Sequence, residues 1–147
     1  MFYRKLLNIN QQVKTMRTDF ICPKCDGHLL VGGNVIFTVT TKKGRRGLIL
    51  LSPLLGDYTK VLNPTFKIEK GEGVDYFCPL CHSNLAALDI DHLLVRLLMV
   101  DENSEMHEIF FSGIEGENCT YKISEKKYEK YGSESEKYDS YFRTRRV

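Results

Sequence analysis

Four of the five cysteines in this chain lie in two short pairs of the same form. The pairs are Cys22-Pro23-Lys24-Cys25 and Cys78-Pro79-Leu80-Cys81. Two residues between thiolates allow a tight turn in which both sulfurs point at one ion, and the proline favours that turn because its ring fixes φ. Two such turns supply four sulfurs, the donor set of a closed tetrahedral zinc site with Zn–S distances of about 2.3 Å. The sequence therefore predicts one Zn²⁺ ion bound by Cys22, Cys25, Cys78 and Cys81.

Residues 21–29 and 77–85 resemble the knuckles of the zinc-ribbon family, which typically read C-P-x-C-G-x-x-L at the ends of β-hairpins. The resemblance implies a rubredoxin-like four-cysteine site that joins antiparallel hairpins, with the same four cysteines as ligands. Asp26 and His82 stand where the family has a glycine. In addition, 52 residues separate the two pairs, against about 15–20 in the compact pattern. We therefore expect slightly different turns and longer hairpins than in the family.

A metal held by four cysteines has no open position for water or substrate, so we expect it to stabilise the fold and not to catalyse a reaction. The alternative is a small redox or electron-transfer protein that uses iron, as rubredoxins do at similar knuckles, or reversible thiols. Thiol exchange would favour a helix N-terminus after the pair, whereas turn and strand signals follow both pairs. Phosphate-binding loops, G-x-S-x-G and H-E-x-x-H are all absent from the sequence, and we expect no enzymatic activity.

A cluster of positive charge lies outside the cysteine pairs, at Lys42, Lys43, Arg45 and Arg46. Glycines on both sides of Arg45-Arg46 indicate a hairpin tip. Such a tip can contact the phosphates of a nucleic acid, or it can be a solvated turn whose charge discourages aggregation of the sheet edge. The expected role is an adaptor for a protein or a nucleic acid, with the nucleic-acid version assigned to these four side chains.

The composition is that of an ordinary globular chain: 147 residues, 42% hydrophobic and 27% charged. A net charge of +2 does not by itself imply a nucleic-acid partner. No apolar run approaches the roughly 20 residues of a membrane helix, and the start of the chain lacks the apolar stretch of a signal peptide. We therefore expect a cytoplasmic protein without a membrane partner. Residues 1–17 are interpreted as a loosely attached extension, with Met16 as an alternative start to Met1.

Residues 18–124 are interpreted as one all-β domain, because they are rich in β-branched and aromatic residues and in turn signals. Their antiparallel hairpins are expected to meet at the four-cysteine site. Residues 54–64 read as a connection, and residues 71–73 as the turn of a hairpin. The predicted strands are 34–41, 48–51, 65–70, 74–78, 92–100, 106–113 and 120–123.

The last segment, residues 125–147, alternates charged residues with tyrosines and has no aliphatic residue before Val147. The spacing of five rings would gather them on one face of a helix: Tyr121, Tyr128, Tyr131, Tyr138 and Phe142. Gly132 interrupts that helix near its middle. We therefore predict a flexible or helical tail, and favour a frayed helix or a disordered segment over a docked one.

Overall fold

The computed structural model describes residues 18–145, so the predicted extension at 1–17 and the choice between two start methionines lie outside it. Within this range the chain forms short strands and one terminal helix. The elements are β1 (Asp19–Ile21), β2 (Leu30–Val31), β3 (Asn34–Thr40), β4 (Arg46–Leu51), β5 (Lys60–Leu62), β6 (Asp75–Phe77), β7 (Ala86–Ala87), β8 (Asp91–Val100), β9 (Met106–Ser112), β10 (Thr120–Ile123), β11 (Tyr128–Tyr131) and α1 (Asp139–Arg145).

The strands form two antiparallel sheets, here called sheet A and sheet B. Sheet A has the order β1-β8-β9-β10-β11, and β7 also pairs with β8. Strand β9 pairs with one side of β8. Strands β1 and β7 both pair with the other side of β8, at different positions along its length. Sheet B has the order β2-β3-β4-β5, and β6 shares with β2 the side of β3 that faces away from β4. The predicted all-β antiparallel class is confirmed.

Two hydrophobic cores stabilise this arrangement. The larger core lies between the sheets, where Leu97 and Ile109 of sheet A pack with Phe37 and Ile49 of sheet B. The smaller core lies on the opposite face of sheet A and includes Phe110. Ile109 and Phe110 are neighbours in β9, so their side chains point to opposite faces of the strand. Sheet A is therefore buried on both faces.

The sequence predicts most of the longer strands correctly, but it misses some short strands and some pairings. Strands β3, β4, β8, β9 and β10 lie where the sequence predicts them. The predicted strand at 65–70 does not form, and β6 pairs instead with β3. This correction also removes the hairpin expected around residues 71–73. The predicted connection at 54–64 contains strand β5, which completes the edge of sheet B next to β4.

The C-terminal tail ends in a short helix, α1, but the longer helical face predicted for its rings does not form, because Tyr121 and Tyr128 lie in strands β10 and β11. The tail is also docked, which corrects the preference for a frayed or disordered segment. Strand β11 pairs with β10 through the register Ile123↔Tyr128. Phe142 of α1 is fully buried, with its ring centroid 4.6 Å from that of Tyr121 and 4.9 Å from that of Phe110. The tail docks because it covers the second apolar face of sheet A, which would otherwise lie in water.

Across residues 18–145, no helix is both long enough and apolar enough to cross a membrane. The helical segment described there is α1, which has 7 residues.

We predict that Phe142→Ala destabilises the protein by about 3–5 kcal/mol, because it removes a fully buried ring and leaves a cavity against sheet A. Chemical unfolding monitored by tyrosine fluorescence measures this change. The control is Tyr141→Ala, whose side chain lies on the same helix but is 41% exposed and makes one hydrogen bond to Asp91. That control is expected to cost about 1 kcal/mol. Equal losses for the two variants would contradict a docked tail.

Candidate metal centre

Each cysteine pair lies in a turn that passes from one sheet to the other. The first knuckle, residues 22–27, connects β1 of sheet A to β2 of sheet B. The second knuckle, residues 78–83, connects β6 of sheet B to β7 of sheet A. The two crossings therefore run in opposite directions at the same edge of the two-sheet structure. The four thiols meet there although 52 residues separate the pairs in sequence.

The four sulfur atoms have the spacing that a tetrahedral metal site needs. The Sγ atoms of Cys22 and Cys81 are 3.8 Å apart, and so are those of Cys25 and Cys78. All four Sγ atoms lie within 4.8 Å of one another. Four sulfurs placed about 2.3 Å from a common centre in a tetrahedron are about 3.8 Å apart. The donor set and its geometry therefore fit one metal ion, and the predicted ligands are brought together.

Backbone N–H groups point at the sulfurs in both knuckles. The N–H of Lys24 donates to Cys22 Sγ at 3.3 Å, and the N–H of Leu80 donates to Cys78 Sγ at the equivalent 3.3 Å. The N–H of Gly27 also donates to Cys25 Sγ, at 3.4 Å. Hydrogen bonds to the charged form of a group favour that form. These donors therefore stabilise thiolates, the form in which cysteine binds a metal.

The two knuckles repeat the same backbone turn. The N–H of Asp26 donates to the Cys22 carbonyl at 3.0 Å, and the N–H of His82 donates to the Cys78 carbonyl at 2.9 Å. Asp26 has a φ of 61° and His82 a φ of 65°. Both residues therefore adopt the left-handed conformation that glycine adopts most easily, and they stand where the knuckles of the zinc-ribbon family have glycine. The altered turn expected from the two substitutions does not occur, because aspartate and histidine tolerate this region better than most residues.

The cluster is buried on one side and open on the other. Cys22 and Cys78 are fully buried, Cys81 is half-buried and Cys25 is exposed. Burial raises the pKa of the Cys22 thiol to about 12. Hydrogen bonds from Ser83 lower the pKa of the Cys81 thiol to about 6. A metal ion therefore meets one thiolate already formed at neutral pH and must displace the proton of Cys22, so metal affinity rises with pH.

The histidines next to the knuckles do not belong to the cluster. His28 Nδ1 lies 2.6 Å from Asp19 Oδ2, and His82 is an exposed side chain. The remaining thiol, Cys119, is buried on the far face of sheet A. Burial raises the pKa of Cys119 to about 11, so it remains protonated at neutral pH.

One cluster of possible metal ligands was not predicted from the sequence: Asp101, Glu105 and His107, at the turn between β8 and β9. His107 Nε2 lies 2.8 Å from Asp101 Oδ2. The other carboxylate oxygen of Asp101 accepts the N–H groups of Asn103 and Glu105, at 2.9 Å each. The hydrogen bond with His107 is the main cause that lowers the pKa of Asp101 to about 2. These contacts describe an aspartate that closes a hairpin turn.

The four basic residues of the predicted tip, here called the basic tip, lie at the exposed turn between β3 and β4. The Arg45 guanidinium donates to the Thr65 carbonyl at 2.9 Å and lies 5.4 Å from the ring centroid of Phe66. Over the part of the chain that the structure describes, no carboxylate forms an ion pair with Lys42, Lys43, Arg45 or Arg46.

Comparison of the chain with protein-family models, with curated proteins and with solved structures finds no match. The assignment of the metal centre therefore depends on its own geometry: four thiols, two repeated turns and sulfur separations that fit a tetrahedron.

We predict that Asp26→Gly and His82→Gly each stabilise the metal-loaded protein by several tenths to about 1 kcal/mol. The left-handed conformation costs a non-glycine residue about 1–2 kcal/mol, and the greater freedom of glycine in the unfolded chain offsets part of the gain. Thermal unfolding measures the effect. Lys24→Gly is the matched control, since Lys24 is exposed in the same turn without a positive φ. It is expected to lose about 0.5–1 kcal/mol. Destabilisation by all three glycines would contradict this account.

Proposed function

We propose that the four cysteines bind one Zn²⁺ ion in a structural, zinc-ribbon-like site, and that the protein is a non-catalytic binding domain. The observation that carries the proposal is the pair of 3.8 Å Sγ–Sγ separations formed by cysteines from both knuckles. Zinc prefers this tetrahedral donor set and has no redox chemistry. Four protein ligands complete its coordination, so no position is left for a substrate.

The two crossings between sheets give the ion a structural task. Without a metal ion, the four sulfur atoms at this edge would contribute only weak thiol–thiol contacts between the sheets. Zinc-binding free energies in small folds are about 10–16 kcal/mol, and this energy contributes directly to folding. The proposal therefore links metal binding to the stability of the whole two-sheet structure.

We predict that freshly purified protein contains one zinc per chain and that Cys78→Ser abolishes it. The variant is expected to lose several kcal/mol of stability and to melt at least about 10 °C lower, because three ligands bind zinc less tightly. Metal analysis and thermal unfolding of the same samples measure both effects. Cys119→Ser is the control, since it removes a buried thiol outside the cluster and should retain the zinc. A Cys78→Ser protein with full zinc and an unchanged melting temperature would contradict the proposal.

A visible absorption spectrum of these samples separates zinc from the iron alternative. A zinc–thiolate site is colourless, whereas iron bound by four cysteines absorbs in the visible range. Stoichiometric iron with this absorption would replace the structural proposal by electron transfer at the same four cysteines.

The outer face of sheet B supports a protein as the partner of this domain. The registers Ile36↔Leu50 and Leu50↔Val61 align three aliphatic side chains across β3, β4 and β5. Leu48, two residues from Leu50 on the same face, is 55% exposed, and Val61 is 58% exposed. Phe77 of β6 pairs with Thr38 on this face. Contiguous exposed apolar side chains of this kind mark interaction sites. We call this surface, comprising Ile36, Leu48, Leu50, Val61 and Phe77, the outer apolar face.

A nucleic acid is the second candidate partner, favoured by the exposed charges of the basic tip. Phosphate contacts would give affinity without sequence recognition. The tip adjoins the outer apolar face, because Arg46 begins the same strand, β4, that carries Leu48 and Leu50.

We predict that binding to a protein partner, identified by cross-linking in cells, is lost when Leu48 and Val61 are both changed to lysine. Two charges on an apolar contact surface cannot be desolvated without cost. Leu88→Lys, at an exposed leucine outside this face, should bind like wild type. So should a variant with Ala at Lys42, Lys43, Arg45 and Arg46. Equal capture by wild type and the double lysine variant would contradict this surface assignment.

The nucleic-acid candidate predicts the opposite pattern in a direct binding assay with single-stranded RNA. Wild-type affinity would fall with salt, with a slope of log K against log[salt] near −3 for about four phosphate contacts. The four-alanine variant of the basic tip would lose this binding. Ala at Lys126 and Lys127, which are exposed at the turn before β11, would retain it. Absence of RNA binding by wild type would eliminate this candidate.

A further inference from the structure

A cavity of about 90 Å³ lies between the two sheets, beneath the loop of residues 52–59. Its lining comes from both sheets and is mainly apolar. The cavity is open to solvent on one side, and the chemistry of its walls indicates what it can bind.

Aromatic rings form much of the cavity wall. Phe37, Tyr76 and Phe111 all line it and contact one another in edge-to-face or tilted geometry. The ring centroid of Tyr76 is 5.4 Å from that of Phe37 and 5.2 Å from that of Phe111. Leu97 and Ile109 add aliphatic surface. Such a wall suits an apolar ligand, and above all a flat ring, because aromatic faces and edges attract each other.

One polar group of the wall has no protein partner. Tyr76 is only 7% exposed, yet its hydroxyl forms no hydrogen bond to any residue between 18 and 145. The hydroxyl lies at the cavity wall, where a ligand can supply the partner that the described fold does not. The hydroxyls of Tyr58, Tyr121 and Tyr138, in contrast, each have a partner in the fold. A phenol hydroxyl keeps its proton at neutral pH and is therefore available as a donor.

Two of the three carboxylates at the rim of the cavity are ion-paired. Glu115 forms an ion pair with Lys60. Glu117 accepts a hydrogen bond from the Ser112 hydroxyl at 2.7 Å and pairs with Lys137 at 2.6 Å. The third, Asp57, accepts hydrogen bonds from the N–H and the hydroxyl of Thr59. An anionic ligand would find no unpaired cation in the lining, and any ion would lose its hydration against the mainly apolar walls, which therefore favour an uncharged molecule.

The loop above the cavity is attached to sheet A by one side chain. The Tyr58 hydroxyl lies 2.8 Å from Thr120 Oγ1 and donates to the Tyr131 carbonyl at 3.2 Å. The remaining loop residues near the cavity include Leu54, which is exposed, and Leu55, which is half-buried. The cavity is open to solvent beside this loop, so a small ligand can enter without opening either sheet.

We propose that this cavity binds a small uncharged molecule that has an apolar, single-ring body and one hydrogen-bond acceptor, which accepts the Tyr76 hydroxyl proton. The volume limits the ligand to at most one ring, because the engineered cavity of about 150 Å³ that accepts benzene is larger, and such a ring would extend into the open mouth of the cavity. This site is independent of the proposed partner surface, which lies on the other face of sheet B. The cavity is also separate from the four-cysteine cluster, where the proposed zinc ion would have no free position for a ligand.

Phenol and benzene are matched probes for this site, because they differ by one hydroxyl whose oxygen accepts a hydrogen bond. We expect zinc-loaded wild-type protein to bind phenol about 2- to 10-fold more tightly than benzene, the range that one hydrogen bond contributes. NMR titration gives both affinities from the methyl shifts of Leu55, Leu97 and Ile109, which line the cavity. Tyr76→Phe keeps the ring and removes the hydroxyl, so it should bind benzene as wild type does and lose the preference for phenol.

Three outcomes of the same titration would overturn the proposal. Wild-type spectra without shifts of the cavity methyl groups would show that the space holds water only. Shifts confined to the outer apolar face would place the probes on the surface and contradict the cavity. An unchanged preference for phenol in Tyr76→Phe would remove Tyr76 as the donor. Thermal unfolding of Tyr76→Phe is the control for folding. Because the substitution keeps the ring, we expect the melting temperature to stay close to that of wild type, so that a change in affinity reflects the lost hydroxyl.

Discussion

The rest of the structure depends on the meeting of four thiols at one edge of two sheets. Each knuckle leaves one sheet and enters the other, so the sulfur cluster joins β1 and β7 of sheet A to β2 and β6 of sheet B. A tetrahedral metal site tolerates only a narrow range of sulfur separations. The proposed metal would therefore constrain the relative position of both sheets, which a hydrophobic contact by itself would specify less precisely.

The residues just before each knuckle place side chains in the core between the two sheets. Phe20 precedes Cys22 by two positions and Tyr76 precedes Cys78 by two, and both are buried between the sheets. The same two side chains line the central cavity. The cysteine cluster therefore adjoins part of the cavity wall, and the aromatic contacts of Tyr76 with Phe37 and Phe111 extend from there across both sheets.

Both faces of sheet A are apolar, so both faces must be covered by other parts of the chain. One face packs on sheet B, and the other is covered by α1 and the segment that leads to it from β11. Polar contacts then orient the cover: the Tyr121 hydroxyl donates to the Ser135 carbonyl at 2.7 Å and accepts the Tyr138 N–H at 3.1 Å. Sheet B has no such cover within residues 18–145, and its outer apolar face is the surface left for a partner.

The sequence by itself identified the four cysteines of the cluster, the β class and the strands of local hairpins such as β3–β4 and β8–β9, because these depend on residue types and short spacings. It did not predict that β6 pairs with β3 or that Phe142 docks on sheet A, because both depend on partners far away in the chain and no local pattern encodes the choice of partner. It also missed β5, although its partner β4 is the preceding strand, because turn-forming residues surround those three residues in the sequence. Only the tertiary structure placed the Tyr76 hydroxyl beside a cavity without a hydrogen-bond partner. A cavity is the space that several packed elements leave between them, so it has no signature in any one of them.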